Sequence, residues 1–290
     1  MKPSKPDLFV PISLGLTILF WASAFPGIRA GLAAYTPGQV ALLRLLVASA
    51  VLAVYAVAVR MRLPEVRDLP AVALGGFLGF TVYHVALNYG EVTVSSGPAA
   101  LLVNTAPIFT ALLATAFLGE RLRPLGWAGM VVSLVGAALI GAGEGEGLSF
   151  APGTFLILLS ALSVSVYLVL QRPYLTKYGA LSFTAYAIWA GTFFALVFLP
   201  GLSVAVAAAP PSTTLAMVYL GLFPTAVAYV TYAHAMSRLS ASRGASFLYL
   251  VSPLAFVIAW LWLGEVPTLL SVAGAVVVFA GVVIVNARGR

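Results

Sequence analysis

Long apolar stretches separated by short polar turns run along the whole chain. One uncharged run of 60 residues, from Tyr178 to Ser237, is divided by the pairs Pro200-Gly201 and Pro210-Pro211. Four further stretches carry no charge: Leu69 to Gly90, Val92 to Gly119, Pro124 to Gly143 and Gly147 to Gln171. Each segment supplies about the 20 residues that a helix needs to cross the hydrocarbon of a bilayer. Because the segments are continuously apolar rather than alternating, they predict membrane-spanning helices and not barrel strands.

These stretches and the turns between them predict ten transmembrane helices. The predicted bounds are 8–29, 37–59, 70–90, 95–118, 124–142, 153–171, 180–200, 212–236, 242–263 and 267–287. The loops hold about a dozen residues at most. The expected fold class is therefore an all-α membrane protein, with no room for a soluble catalytic or sensory domain.

Composition supports this prediction. Apolar residues make up 62% of the chain and charged residues 8%, whereas a soluble domain carries about a quarter charged residues. So few charges cannot form a wetted surface around a core, and the lipid bilayer is the expected partner. The chain has no cysteine, which excludes disulfides and thiol chemistry.

The positive charges indicate which side of each helix faces the cytoplasm. A net charge of +7 would favour nucleic acid in a soluble protein, but Lys and Arg gather in the short cytoplasmic loops of membrane proteins. No nucleic-acid partner is expected. With both termini cytoplasmic, the outer loops hold no Lys or Arg, with only Arg29 near that side. The inner segments hold Lys2, Lys5, Arg60, Arg62, Arg67, Arg121, Arg123, Arg172, Lys177, Arg238, Arg243, Arg288 and Arg290.

One phrase of the sequence occurs twice, half a chain apart. LGERLRPLGWAGMVVSLVG at 118–136 returns as LGEVPTLLSVAGAVVVFAG at 263–281, an offset of 145 in 290 residues. Arg121 and Arg123 have no counterpart in the second copy. Since five helices per half is an odd number, the second half enters from the opposite face, and its copy of this loop lies outside, where positive charge is disfavoured. The chain is predicted to consist of two inverted five-helix repeats, 1–145 and 146–290.

The repeat also relates helices 3 and 4 to helices 8 and 9. At an offset of 146, Tyr83 aligns with Tyr229 and Pro107 with Pro253. Both prolines are predicted to kink their helices, and they are the candidate hinges. Inverted repeats are typical of transporters that work by alternating access around a site near the bilayer midplane. A channel with the same symmetry is the alternative.

Helices 5 and 10 are rich in small residues. Small residues let membrane helices approach closely, so these two are expected to be packing elements, against each other's neighbours or a second subunit. The oligomeric state stays open. The residues concerned are Gly126, Gly129, Ser133 and Gly136, and Ala273, Gly274, Ala280 and Gly281.

Polar side chains within the spans predict a binding cavity. On helix 3, Thr81, His84, Asn88 and Glu91 share one face, and such a face must look into protein or a water-filled cavity. Stripes on helices 1, 4, 6, 8 and 9 are expected to converge on it. Any single aromatic residue has packing or an interfacial belt as its alternative role. The candidate substrate-binding residues are Trp21, Ser23, Arg44, Tyr83, His84, Asn88, Asn104, Tyr167, Trp189, Tyr229, Tyr232 and Tyr249.

The ionisable residues set the expected chemistry. Arg44 is either an anion clamp or a structural partner of Glu91 or of backbone carbonyls. All eight Asp and Glu residues lie at helix ends or in loops, so transport is expected to follow the substrate's own gradient or to titrate through His84. Glu120 and Glu265 are expected beside helix N-termini, with gating as the alternative. No metal or cofactor is expected.

Several short motifs resemble those of the EamA-type drug/metabolite transporters. They are WASAF at 21–25, Pro37 followed by Arg44, Pro107 with LGE at 118–120, and Pro253 with LGE at 263–265. The resemblance covers essentially the whole chain. It implies a ten-helix, five-plus-five fold and export of small metabolites, often amino acids, across the bacterial cytoplasmic membrane.

The candidate residues also favour a class of substrate. One cation, many hydroxyls and amides, and many rings suit a neutral amino acid, above all an aromatic one, with organic cations as secondary cargo. A sugar-phosphate or nucleotide-sugar carrier is the alternative, although it would need several cavity-facing Lys or Arg. An enzyme would need a nucleophile, metal ligands or paired carboxylates within the spans. The two histidines, His84 and His234, are predicted near opposite faces and have no carboxylate partners within the spans. A scaffold would not need buried polar stripes.

Overall fold

The computed structural model describes residues 9–94, 96–143, 152–254, 257–258 and 268–288. Within these ranges every regular element is helical and no strand occurs. Within the described part of the chain, eight helical segments are long and apolar enough to cross a membrane. They are Phe9–Leu32, Pro37–Ala58, Val66–Gly90, Ala99–Leu118, Pro152–Leu170, Ala180–Phe198, Pro211–Arg238 and Leu269–Asn286, and Pro124–Ile140 is a shorter apolar helix.

The helices are numbered in chain order. Short 3₁₀ turns lie at Val66–Asp68, Leu196–Phe198 and Phe247–Leu250, and π-helical segments at Phe77–Val82 and Gly221–Val227. The α-helices are α1 Phe9–Ala22, α2 Ala24–Leu32, α3 Pro37–Ala58, α4 Leu69–Gly76, α5 Tyr83–Gly90, α6 Ser96–Val103, α7 Ala106–Leu118, α8 Pro124–Gly143, α9 Pro152–Leu170, α10 Arg172–Tyr178, α11 Ala180–Ala195, α12 Leu202–Ala208, α13 Pro211–Leu220, α14 Ala228–Arg238, α15 Ala241–Ser246 and α16 Leu269–Arg288.

Prolines account for the interruptions within three spans. Proline has no N–H, so the carbonyl four residues earlier loses its usual partner. α1 ends at Ala22, four residues before Pro26, and α6 ends at Val103, four before Pro107. α13 ends four residues before Pro224, which lies inside the following π-helical segment.

Two predicted helices are therefore wrong in detail. The single helix expected at 8–29 is α1 and α2, separated at Ser23, and the one at 95–118 is α6 and α7, separated at Asn104 and Thr105. The interruption near Pro107 agrees with the predicted kink. Of the helix expected at 242–263, the described part begins with α15, tightens into a 3₁₀ turn and continues helically over 251–254. Pro253 lies there, and Glu265 lies outside the described residues.

α8 and α16 pack directly against each other, and not only against neighbouring elements. A Cβ on Gly136 would lie 2.8 Å from the carbonyl oxygen of Gly274. A Cβ on Gly281 would lie 2.6 Å from that of Gly129. The backbones are this close because glycines meet, as small residues permit in membrane helices.

Several of the arginine- and lysine-bearing turns meet at one end of the bundle. Glu120, after α7, accepts hydrogen bonds from the backbone N–H of Ala241 at 2.6 Å and of Ser242 at 3.1 Å. Arg172, at the start of α10, donates to the carbonyls of Met236 and Leu239. Glu120 thus lies at the N-terminus of α15 and not of α8, the helix that follows it in the chain, and it connects three of the predicted cytoplasmic turns.

Candidate functional site

A small cavity of about 60 Å³ lies between residues of the first and second halves of the chain. Among the described residues its lining contains one cation and no carboxylate. Apolar side chains such as Phe25, Leu87 and Val251 complete the wall. Six of the twelve predicted site residues line it: Trp21, Arg44, Tyr83, His84, Asn104 and Tyr229.

Arg44 is held at the cavity by the π-helical segment after α13. Its Nε donates to the hydroxyl of Thr225 at 3.0 Å, and that hydroxyl donates to the carbonyl of Leu220 at 2.8 Å. Leu220 lies four residues before Pro224, which has no N–H to donate to the Leu220 carbonyl. Arg44 is 3% exposed and forms no ion pair with Glu91 within the described chain. The structural ion pair is therefore not formed, and the guanidinium Nη atoms have no hydrogen-bond partner among the described residues.

The same π-helical segment fixes Trp21. The indole Nε1 donates to the carbonyl of Pro224 at 2.9 Å. Its ring lies 5.1 Å from that of Tyr229 at an interplanar angle of 69°, which is a favourable edge-to-face arrangement. The π-helical segment around Pro224 thus positions the guanidinium of Arg44, through Thr225, and the ring of Trp21, which packs against Tyr229. π-Helical segments often occur at functional sites.

His84 offers an acceptor next to these rings. Its Nδ1 lies 2.7 Å from the carbonyl oxygen of Phe80, so Nδ1 carries the proton and Nε2 is the acceptor of the neutral ring. Nε2 is buried and has no hydrogen-bond partner among the described residues. The ring lies 4.8 Å from that of Tyr83 and 6.1 Å from that of Tyr229.

Asn104 occupies the gap between α6 and α7. Its Nδ2 donates to the hydroxyl of Ser252 at 2.6 Å, which joins the interrupted span to the segment that contains Pro253. The break left by Pro107 therefore exposes an amide to the cavity and links it to the second half of the chain.

Three of the other predicted residues bind elsewhere through hydrogen bonds. Ser23 contacts the hydroxyl of Tyr219 at 2.6 Å. Asn88 donates to the carbonyl of Pro37 at 3.0 Å. Trp189 donates to the carbonyl of Ser49 at 3.1 Å. These residues join helices around the cavity and do not line it.

The remaining three predicted residues are buried tyrosines behind the lining. Tyr167 packs against Phe80, with ring centroids 5.1 Å apart, and Tyr232 lies 5.1 Å from Trp21. Tyr249 belongs to the apolar cluster under α8 and α16. The hydroxyls of Tyr232 and Tyr249 have no hydrogen-bond partner among the described residues, and that of Tyr167 interacts with the side chain of Thr184.

Two features of the site are missing from the sequence-based prediction. Thr225, which holds Arg44, is not among the predicted binding residues, although the neighbouring Pro224 inside an apolar run signals a disturbed helix. Glu91, predicted at a helix end on the polar face of helix 3 but not among the binding residues, is 1% exposed. Its position three residues after Asn88 on the polar face was the available signal.

The comparisons agree with this geometry. The EamA-like transporter family matches residues 10–142 and again 151–287. The chain is 49% identical to the uncharacterized transporter YdfC of Bacillus subtilis over 96% of this chain and 91% of that protein. It is 43% identical to a probable terminal-alkyne amino-acid exporter of Streptantibioticus cattleyicolor, over 95% and 93% of the two chains. A solved crystal structure matches with a TM-score of 0.77 over 97% of each chain; at 22% identity it shows the fold alone.

These relatives, together with the membrane-spanning helices, identify the protein as a multi-pass membrane transporter and not an enzyme. The chain belongs to the EamA-like transporter family, which its two halves each match.

Proposed function

We propose that the protein exports neutral amino acids, above all aromatic ones, across the bacterial cytoplasmic membrane by alternating access. The observation that carries the proposal is the cavity itself. Its one cation, Arg44, has its Nε satisfied by Thr225 and its Nη atoms unpaired within the described chain. Rings and one free imidazole acceptor surround that cation.

The groups of an amino acid match those of the cavity. Its carboxylate is the natural partner of the Arg44 guanidinium, because charged hydrogen bonds to carboxylates are the strong ones. Its ammonium suits Nε2 of His84 and the ring faces of Tyr83 and Tyr229, each cation–π contact contributing about 0.5–2 kcal/mol. An aromatic side chain gains about 0.5–1.5 kcal/mol more per ring pair.

The comparisons add support for this class of substrate. The Streptantibioticus relative, 43% identical over nearly the whole chain, is described as a probable amino-acid exporter. Organic cations remain the second class of proposed substrate, because the positive charge of Arg44 would repel them. A sugar-phosphate or nucleotide-sugar carrier is the weaker alternative, because the described lining offers a single cation for a multiply charged phosphate.

Pseudo-symmetric contacts support two inverted repeats, 1–145 and 146–290, within ten spans and with cytoplasmic termini. Gly129 faces Gly281 and Gly136 faces Gly274, and an offset of 145 converts one pair into the other. The π-helical segments Phe77–Val82 and Gly221–Val227 overlap at the same offset. Such a pattern of exchanged partners is what a two-fold axis in the membrane plane produces.

Alternating access also suits the size of the cavity. A volume of about 60 Å³ admits a few water molecules and is too small for phenylalanine. The cavity must therefore enlarge during transport. The interruption at Asn104 and Thr105, beside Pro107, and the matching segment around Pro253 are the proposed hinges.

Efflux from liposomes tests the proposal. Purified protein reconstituted with labelled phenylalanine inside should release it faster than protein-free liposomes do. Arg44→Gln should abolish the difference, whereas Arg67→Gln, in the exposed turn before α4, should leave most of it. Release that is equal with and without the protein would contradict the proposed function.

A further inference from the structure

Glu91 is buried without a partner. It follows α5, one residue beyond the span that ends at Gly90, and is 1% exposed. Neither carboxyl oxygen has a hydrogen-bond partner among the described residues. A buried carboxylate without a partner is costly, and such a group is held neutral unless a cation reaches it.

Two cations face Glu91 from neighbouring helices. Arg44 of α3 and Arg29 of α2 both act on it electrostatically, but neither forms an ion pair with it within the described chain. On its own helix, α5, the titratable groups are Tyr83, His84 and Tyr89. α6 and α9, which also pack nearby, bring no charged residue. Burial raises the pKa of Glu91 to about 8, against the lowering effect of Arg29 and Arg44.

Unsatisfied acceptors lead from Glu91 to the cavity. His84, Asn88 and Glu91 lie on one face of the same helix. His84 Nε2, Asn88 Oδ1 and both Glu91 oxygens are buried without a donor in the part of the chain that the structure describes. Buried acceptors in native proteins normally have donors, so a proton or ordered water belongs on this face.

We propose that Glu91 is a proton-binding site that controls the availability of Arg44. When Glu91 is protonated, the Arg44 guanidinium, which forms no ion pair with it within the described chain, is available to an anion in the cavity. When Glu91 loses its proton to water, its carboxylate competes for Arg44. The substrate part of this inference rests on the proposed function; the proton site itself does not.

The two binding events are then linked. When a carboxylate ligand occupies Arg44, the guanidinium no longer favours the ionised form of Glu91, so ligand binding is accompanied by uptake of a proton. By linkage, protonation of Glu91 strengthens ligand binding by the same factor. Affinity for the ligand is highest below the pKa of Glu91 and falls as pH rises through it.

Infrared titration of the purified protein tests the proton site without any ligand. The spectrum at about pH 7 should contain the band of a protonated carboxyl, and Glu91→Gln should remove it while Glu65→Gln does not. Arg44→Gln should move the titration of that band to higher pH, because a nearby positive charge has been removed. An unchanged spectrum in Glu91→Gln, or an unmoved titration in Arg44→Gln, would overturn the proposal.

Phenylalanine binding tests the linkage. Between about pH 7 and pH 9 the affinity of the wild-type protein should fall by up to about tenfold per pH unit. Glu91→Gln, which retains the titration of phenylalanine itself, should show a clearly smaller fall. Equal pH dependence in both proteins would overturn the linkage. Absence of binding in the wild type would refute the proposed function, and the infrared titration would still decide the proton site.

Discussion

The backbones of Gly129 and Gly281 are in close contact where α8 crosses α16. A Cβ added to Gly129 would stand 2.8 Å from the carbonyl oxygen of Gly281, and one added to Gly281 would stand 2.6 Å from that of Gly129. Gly136 and Gly274 repeat this relationship further along the two helices. The repeated phrase of the sequence is thus the contact surface between the two helices that carry it.

Substitution at this crossing is expected to destabilise the protein. Gly136→Ala would bring a methyl group within 2.6 Å of the backbone nitrogen of Val278, so the helices must separate. Overpacking of this kind costs about 1–3 kcal/mol. The measurement is the midpoint of thermal unfolding in detergent, which should fall. Gly15→Ala is the matched control, because a Cβ there meets nothing within 4 Å. Equal midpoints for the two variants would contradict the close crossing.

The sequence predicted the order and approximate bounds of the described spans because lipid imposes apolar composition and helix length together. It did not predict the interruptions at Ser23 or within Phe77–Val82. Whether a helix is interrupted at such a point depends on whether the backbone carbonyls that lose their intrahelical N–H donor find another donor in the fold. The carbonyl of Pro224, for example, is bound by Trp21, which lies 203 residues away in the chain.

Thr225 is expected to control ligand affinity through Arg44. Thr225→Val keeps the shape of the side chain but removes the acceptor of the Arg44 Nε–H. Since hydrogen bonds to charged groups contribute about 1.5–3 kcal/mol, phenylalanine should bind about tenfold to a hundredfold more weakly. Thr225→Ser retains the hydroxyl and should bind nearly as wild type. Weak binding in the serine variant as well would indicate a packing effect and not the hydrogen bond.

Tyr83 and Tyr89 provide a matched pair on one helix. Tyr83 lines the cavity, whereas Tyr89 is 43% exposed. Tyr83→Ala should weaken phenylalanine binding about twofold to thirtyfold through loss of the ammonium–ring contact. Tyr89→Ala should leave binding unchanged. Titration of both variants by calorimetry checks this, and equal affinities would remove Tyr83 from the site.

The proposed orientation predicts which positions are reached from outside. The chain has no cysteine, so single cysteines report their own side. Ser212→Cys, in an exposed position at the start of α13, should react with an impermeant thiol reagent applied to intact cells. Ser237→Cys, exposed near the end of α14, should react only after lysis. Labelling of both positions from outside would contradict the orientation and the inverted repeat.

The candidate site was predictable as a set of residue types and less so as a geometry. Half of the twelve predicted residues line the cavity because polar groups in a membrane span must face inward. That rule does not separate a cavity from a helix contact, so Asn88 and Trp189 bind backbone carbonyls instead. The burial of Glu91 depends on the approach of α3 and α9 to α5, which local sequence does not contain.

Competition in liposomes tests the central claim most directly. Efflux of labelled phenylalanine through the reconstituted protein is measured with unlabelled competitors present on both sides. Unlabelled phenylalanine and methionine should slow the efflux strongly, lipophilic cations weakly, and sugar phosphates or nucleotide sugars least. Stronger inhibition by the phosphorylated sugars than by the amino acids would contradict the account and favour a phosphate carrier.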